Sequence, residues 1–162
     1  MDKQQTFIKT IREHEGIIYK ITRIYFEDEE DQKDLYQEIV FQLWKSYDSF
    51  NSKSKWSTWM YRVALNTAIS FLKKDQTKLK RSSSEQLENF KMEPFDPVME
   101  ERIAWLYRNI QELNVVEKGI ILLYLEGRNY EEISNITGFS TTNIGTRISR
   151  IKQKLKNQIK TD

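Results

Sequence analysis

The chain has 162 residues, enough for one ordinary domain or two small ones, and 38% of them are apolar, so packed cores are expected rather than disorder throughout. It contains no cysteine and a single histidine, which excludes a disulfide scaffold, a cysteine-based zinc site and a histidine-rich metal or catalytic cluster. The few glycines and prolines, together with apolar residues at helical spacing, predict an all-α fold. The one histidine, His14, is interpreted as structural or simply exposed.

The charged residues are segregated along the chain, although the net charge is only +2. Residues 27–38 contain seven acids and one lysine, residues 45–74 six basic residues and one acid, and residues 127–160 seven basic residues and two acids. This segregation indicates separate surfaces for separate partners. The N-terminal residues are polar and no apolar run approaches membrane-spanning length, so we expect no signal peptide, no membrane insertion and a cytoplasmic location.

Helical spacing of apolar residues predicts a first domain over residues 6–75. Its three predicted helices, the first of them broken or kinked, cover about 7–24, 31–47 and 56–74. Residues 76–97 lack this spacing, include three consecutive serines and end in two prolines, and are interpreted as a flexible linker.

A second helical domain is predicted over residues 98–160, and its start and stop signals are clear. After a helix at about 98–112, Asn114 and Asn129 are each followed by Glu three residues later, the pattern of a capping box. Gly127 ends one helix, Gly138 makes the next turn, and Ser140 caps the last helix. A short helix, a turn containing glycine and a longer helix form a helix-turn-helix, a motif typical of DNA-binding proteins.

The last helix has an unusual polar face. Its apolar stripe contains Ile144, Ile148, Ile151 and Leu155, with Ile159 one step further. The face opposite carries short hydroxyl or amide side chains and one arginine: Thr142, Thr146, Ser149, Arg150 and Gln153. Basic residues line its two flanks: Lys152, Lys156 and Lys160 on one, Arg147 and Lys154 on the other. Arginine, Thr and Ser suit base readout in the major groove and the flanking cations suit phosphates, although an ordinary solvated basic helix end would look similar.

Two stretches of the first domain have two interpretations each. The segment FNSKSKWSTWMYRVALNT combines aromatic residues with Lys53, Lys55 and Arg62, which suits stacking on single-stranded nucleic acid, but Trp59 and Tyr61 at helical spacing also suit a core. The acidic helix carries polar residues beside a large apolar surface, which suits either docking onto a partner helix or plain solvated surface. Its polar residues are Asp34, Gln37, Glu38 and Gln42.

The sequence carries no enzyme motif: it has no glycine-rich phosphate loop, no paired His and Cys, and no metal-ligand spacing. We therefore expect a protein that is not an enzyme, with no cofactor and no metal.

Nearly the whole chain resembles one family, the bacterial sigma-70-type RNA polymerase sigma factors of the short extracytoplasmic-function (ECF) subgroup. DLYQEIVFQLWKSYDSF resembles the stretch that binds core polymerase, and WSTWMYRVALNTAISFLKK the stretch that melts the promoter and reads the −10 element. LEGRNYEEISNITGFSTTNIGTRISRIKQKLK resembles the helix-turn-helix that reads the −35 element. The three motifs in this order, with a polar linker between the last two, are highly specific.

The resemblance implies roles for individual residues. The residues implied to dock on the clamp helices of the polymerase's largest subunit are Asp34, Leu35, Gln37, Glu38 and Trp44. The resemblance also implies that a loop over residues 48–55 captures a flipped base. The residues implied by the resemblance or expected from the local sequence at the −10 element and in melting are Lys53, Lys55, Trp56, Arg62, Asn66, Ser70, Lys73 and Lys74. The second domain is implied to sit on the polymerase flap while it reads the −35 element. The residues implied or expected at that element are Thr142, Gly145, Thr146, Arg147, Ser149, Arg150 and Lys154.

Three positions depart from the family pattern. The basic residues at the end of the −10-reading helix are lysines here, Lys73 and Lys74, which keep the charge but lack the planar guanidinium of arginine. Gly145 stands where a larger recognition residue is common, and Ser134 stands where a small alanine is usual. A base contact at Gly145 is therefore either lost or made by the backbone. The DNA sequence preference does not follow from the resemblance.

Other functions compete with that of a promoter-specificity subunit. A stand-alone helix-turn-helix regulator would bind its operator as the free protein, and a sigma-like decoy would occupy polymerase without supporting initiation. The −10-type segment favours the sigma factor over the decoy. Because members of the family are commonly held by an anti-sigma factor, such a partner is a further expectation.

Overall fold

A computed structural model describes residues 2–50, 55–75 and 97–161. Every regular element in these ranges is helical. The chain divides into two compact units, Met1–Gln86 and Leu87–Asp162. The predicted all-α fold with two helical domains is therefore confirmed, while the predicted linker lies outside the described residues except for its last position. No helix in the described ranges is long and apolar enough to cross a membrane.

The described part of unit 1 contains three helices and one short 3₁₀ turn: α1 (Lys3–Tyr25), α2 (Glu29–Ser46), the turn Tyr47–Ser49, and α3 (Trp56–Asp75). The helices pack against one another in all three pairs. Their mutual core includes Ile18, Ile21, Leu35, Ile39, Leu43, Met60 and Ala64.

The first helix, α1, is continuous from Lys3 to Tyr25, so the predicted break is wrong. Its buried side chains include Phe7, Ile11 and Ile18, and half-buried His14 fills the helical step between Ile11 and Ile18. The His14 Nδ1 lies 2.9 Å from the Thr10 carbonyl oxygen, so this half-buried ring nitrogen has a hydrogen-bond partner within the helix. A polar residue within an apolar stripe made the sequence pattern look interrupted.

The acidic run at the start of α2 has a local structural cause. Asp28 is the N-cap, and its side chain accepts a hydrogen bond from the Asp31 backbone N–H at 3.3 Å. Glu29, Glu30 and Asp31 occupy the first turn, where negative charge is stabilised by the exposed N–H groups and the helix dipole. Part of the charge segregation thus serves to start this helix.

Unit 2 contains four helices among its described residues: α4 (Pro97–Ile110), α5 (Val115–Leu125), α6 (Tyr130–Thr137) and α7 (Thr141–Thr161). Both predicted capping boxes are confirmed. The Asn114 side chain accepts from the Glu117 N–H at 2.9 Å while Glu117 accepts from the Asn114 N–H at 3.0 Å, and Asn129 and Glu132 pair likewise at 2.8 and 3.2 Å.

The turn between α6 and α7 follows the predicted form. Gly138 has a φ of +87°, the left-handed conformation that ends a helix, and its N–H donates to the Ser134 carbonyl at 2.8 Å. Ser140 caps α7 by accepting from the Asn143 N–H at 3.1 Å. Ser134, one of the departures from the family pattern, donates its hydroxyl to the Phe139 carbonyl and so stabilises the same turn.

The core of unit 2 accounts for most of the α7 stripe. Ile144, Ile148 and Ile151 are buried together with Ile133 and Ile136 of α6. Ile159 is 46% exposed, so the stripe leaves the core before the end of the helix. The helix is therefore fixed by its first three turns, and its opposite face is left to solvent.

Candidate nucleic-acid interface

The polar face of α7 is exposed as its periodicity predicts. Thr142, Thr146, Ser149 and Arg150 are all exposed, while the isoleucines of the stripe are buried on the other side. The four exposed residues line an open groove together with Thr141, Gly145 and Tyr130. The Thr146 hydroxyl donates to the Thr142 carbonyl at 3.1 Å, so it can still accept a hydrogen bond from a ligand.

Two basic flanking residues are held in place by neighbouring side chains. Arg147 Nε donates to the Asn143 side-chain oxygen at 2.6 Å, and its guanidinium lies 4.3 Å from the centre of the Phe139 ring. Lys152 Nζ donates to the Tyr124 hydroxyl at 2.7 Å, and this hydrogen bond raises the pKa of Lys152. Both cations are thus oriented beside the polar face before any ligand is bound.

Lys154 is engaged more strongly than the sequence suggests. Its ammonium lies 2.6 Å from Oε2 of Glu117, whose side chain is largely buried, and the other Glu117 oxygen accepts from the Asn114 N–H. Burial alone would raise the pKa of Glu117, but the Lys154 and Asn114 hydrogen bonds and the charges of Lys154 and Arg147 lower it. Lys154 therefore stabilises unit 2. The Glu117 carboxylate also partly neutralises its charge, which weakens its attraction for a phosphate.

Tyr130, the first residue of α6, also belongs to this surface and was missed by the sequence analysis. It is 41% exposed and lines the groove with the recognition-face residues. Its ring lies against Gly145. Helical periodicity describes each helix alone and carries no signal for a contact between two helices.

A second polar face lies on α3 in unit 1. Arg62, Asn66, Ser70 and Lys73 follow one another at helical spacing and therefore share this face. Asn66, Ser70 and Lys73 are exposed and Arg62 is half-buried. Lys74 and Lys55 are exposed as well, while Lys53 lies outside the described residues.

Trp56 belongs to an aromatic cluster at the start of α3. Its ring centre lies 4.8 Å from that of Trp59, 5.3 Å from Phe50 and 5.8 Å from Tyr47. Trp59 and Tyr61 are buried, which agrees with the core interpretation of these two residues. Trp56 itself is half-buried at an open depression lined by Thr10, His14, Tyr47, Asp48, Phe50 and Trp56.

The residues of α2 that the resemblance implies for polymerase binding differ in their exposure to solvent. Gln37 and Trp44 are exposed, and Asp34 and Glu38 are half-buried. Leu35 is fully buried, so its side chain belongs to the core of unit 1 and offers no contact to a partner. The implied residues that reach the surface are Asp34, Gln37, Glu38 and Trp44. Phe41, which the sequence analysis did not name, is 54% exposed on the same helix.

Comparison with known protein families assigns both units. Residues 10–78 match Sigma-70 region 2, and residues 103–155 match Sigma-70 region 4. The chain belongs to the sigma-70 family. It is an ECF RNA polymerase sigma factor, and since this family is non-enzymatic, the prediction that the chain is not an enzyme is confirmed.

Characterised sigma factors resemble the chain over most of its length. It is 27% identical to RNA polymerase sigma factor SigV of Bacillus subtilis, over 98% of this chain and 96% of the relative. It is 28% identical to the ECF RNA polymerase sigma-E factor of Escherichia coli K12, over 80% of this chain and 74% of the relative. Because the match to SigV spans nearly the whole chain, both units of this sigma factor have counterparts in that relative.

Two solved structures share the fold. CnrH in complex with the cytosolic domain of CnrY has a TM-score of 0.72 at 19% identity, covering 99% of this chain and 91% of that one. The sigma factor RpoE in complex with the anti-sigma factor NepR from Bartonella quintana has a TM-score of 0.70 at 18% identity, covering 98% and 99%. By the residues matched to the family, the polar faces of α3 and α7 lie within regions 2 and 4.

Proposed function

We propose that this sigma factor directs core RNA polymerase to specific promoters by reading the −35 element with α7 and the −10 element with α3. The observation that carries the proposal is the exposed polar face of α7, in which Thr142, Thr146, Ser149 and Arg150 surround a groove inside the region 4 match. In a helix-turn-helix this face enters the major groove, where an arginine can bond a guanine twice.

The cations around that face have different expected roles. Arg147 and Lys152 are oriented by neighbouring side chains, and Lys156 is exposed further along the helix. These three suit phosphates, which position the helix without reading sequence. Lys154 can reach a phosphate only by weakening its pair with Glu117, so it is the weakest candidate of the proposed set.

Unit 1 is proposed to read and melt the −10 element. Asn66 and Ser70 are the exposed hydrogen-bonding residues of the α3 face, with Lys73 and Lys74 at its C-terminal end and Arg62 towards its N-terminal end. Trp56, half-buried beside an open depression, offers a stacking surface for a base that leaves the duplex. Extruding a base costs a few kcal/mol, which stacking and hydrogen bonds must return.

The polymerase contact is proposed for α2, with unit 2 on the flap. Gln37, Phe41 and Trp44 occupy one side of α2, and Asp34 and Glu38 flank it, so the surface combines exposed aromatic area with acidic groups. Such a surface suits a partner helix that carries apolar and basic residues, as proposed for the clamp helices. The proposed location is the cytoplasm, and an anti-sigma factor is a proposed partner, as in the RpoE–NepR complex.

Multi-round transcription with cognate core polymerase tests the proposal. The templates are fragments of the genome that encodes the chain, and transcript 5′ ends are sequenced with and without the sigma factor. New start sites that share −35 and −10 elements would support the proposal. Binding to core polymerase without new starts would instead indicate a decoy, and operator binding by the free protein without binding to core would indicate a stand-alone regulator.

A further inference from the structure

Gly145 of α7 lies next to the ring of Tyr130, the first residue of α6, within the helix-turn-helix. A Cβ atom built on Gly145 would lie 3.3 Å from Tyr130 Cε2 and 3.8 Å from Cδ2. Gly145 lies within α7 and is not among the glycines with positive φ, so its backbone conformation does not require glycine. A Cβ at this position would require the Tyr130 ring to shift by a few tenths of an ångström. The nearer atom, Cε2, neighbours the carbon that carries the hydroxyl, so the hydroxyl end of the ring reaches α7.

If α7 reads DNA as proposed, the position that Tyr130 covers is one from which a longer side chain would reach a base pair. Gly145 lies between Thr142, Thr146 and Ser149 on the groove, but glycine itself has no side chain to offer a base pair. The Tyr130 ring lies where the first atoms of such a side chain would be. At this point in the groove, α6 therefore supplies a side chain, the Tyr130 ring, where α7 has none.

The exposure of Tyr130 makes its ring accessible to a ligand in the groove. The side chain is 41% exposed and lines the groove together with the polar residues of α7. Its backbone is fixed at the first position of α6, directly after the Asn129 capping box. A tyrosine in a fixed position offers apolar contact to a thymine methyl group and a hydroxyl that donates or accepts.

We propose that Tyr130 is a specificity-determining residue that replaces the missing side chain of residue 145 in reading one base pair of the −35 element. This rests on the proposed function of α7. Gly145 belongs to the same proposal, since a Cβ at this position would require the ring to move by a few tenths of an ångström. The recognition surface of this sigma factor is therefore built from α6 and α7 together.

Transcription by the reconstituted holoenzyme from a promoter pool with a randomised −35 element tests this proposal. Tyr130→Ala is expected to flatten the base preference at one −35 position by roughly fivefold or more, because a base contact is lost there. Gly145→Ala, which pushes the ring aside, is expected to alter the preference at that same position. A uniform fall across all sequences, or no change in either variant, would overturn the proposal.

Two controls separate this inference from the proposal on which it rests. Arg150→Ala should flatten a different −35 position; if it changes no −35 preference, reading of the −35 element by α7 fails as a whole. If Arg150→Ala alters the profile and neither Tyr130→Ala nor Gly145→Ala does, only the role of Tyr130 is refuted. Thermal unfolding identifies misfolded variants, and the milder Gly145→Ala keeps the test valid if Tyr130→Ala does not fold.

Discussion

Lys154 of α7 and Glu117 of α5 form an ion pair 2.6 Å apart that joins the recognition helix to the first turn of its neighbour. The Glu117 side chain is 10% exposed and the Lys154 side chain 55%. Lys154→Met removes the ammonium but keeps the chain length, and leaves the carboxylate without its cation. We expect unit 2 to lose about 1–3 kcal/mol of stability at neutral pH. Urea unfolding of the full chain, with hydrogen exchange to assign the loss to α5 and α7, measures it.

The same pair predicts how stability depends on pH. The pKa of Glu117 is lowered in the folded protein, so the unfolded chain binds its proton first as the pH falls. The contribution is complete above the unfolded pKa of about 4.3 and is lost as the pH falls through the lower folded value. Glu117→Gln should therefore reduce the acid sensitivity of unit 2. An unchanged dependence between pH 7 and about pH 3 would contradict the proposed coupling.

Gly138 should resist substitution by any residue with a side chain. Its φ of +87° is strained for other residues, so Gly138→Ala is expected to destabilise unit 2 by about 1 kcal/mol or more. Gly16→Ala is the matched control, since Gly16 lies inside α1 and a Cβ there meets nothing within 4 Å. That control should be neutral or stabilising. Equal effects of the two changes in thermal unfolding would contradict the role of the turn.

Lys156 should contribute to DNA affinity without contributing to sequence preference. It is exposed on the flank of α7, so Lys156→Gln is expected to weaken promoter binding by the holoenzyme similarly for all −35 sequences. The slope of log affinity against log salt should become shallower by about 0.9 if one phosphate contact is lost. Lys9→Gln, on exposed α1 surface, should leave the slope unchanged. A change in base preference on Lys156→Gln would contradict a phosphate role.

Substitutions at Phe41 and Leu35, both on α2, are expected to affect polymerase binding and protein stability differently. Phe41 is 54% exposed, so Phe41→Ser should leave the unfolding free energy nearly unchanged but weaken binding to core polymerase by about tenfold, as loss of an interface aromatic does. Leu35→Ala should instead destabilise unit 1 by about 2–5 kcal/mol, since Leu35 is fully buried. Ile8→Ser, on the exposed surface of α1, is the control for apolar exposure. Unchanged polymerase affinity in Phe41→Ser would exclude this face.

Local patterns in the sequence predicted the parts of unit 2 that depend on neighbouring residues. Both Asn–Glu capping boxes, the Gly138 turn and the exposed face around Arg150 follow from spacings of a few residues, which the helix geometry itself sets. The helix-turn-helix therefore follows from short-range sequence patterns alone.

Contacts between helices were not predictable in this way. The lysine at 154 looked free for phosphate because its partner Glu117 is 37 residues away, and the Tyr130 ring reaches Gly145 from another helix. Leu35 was assigned to polymerase by resemblance to a motif, which does not state whether a side chain points inward or outward. His14 interrupted an apolar stripe that the helix in fact continues.

The proposed division of promoter reading between α3 and α7 is tested most directly by one pooled transcription experiment. Holoenzyme carrying the original chain, Asn66→Ala or Arg150→Ala transcribes promoters randomised at either the −35 or the −10 element. Both residues are exposed, so neither change should unfold its unit. We predict that Arg150→Ala relaxes preference only at the −35 element, by about 1–3 kcal/mol at one position, and that Asn66→Ala does so only at the −10 element. Intact preferences in both variants, or an exchange of the two effects, would contradict the account.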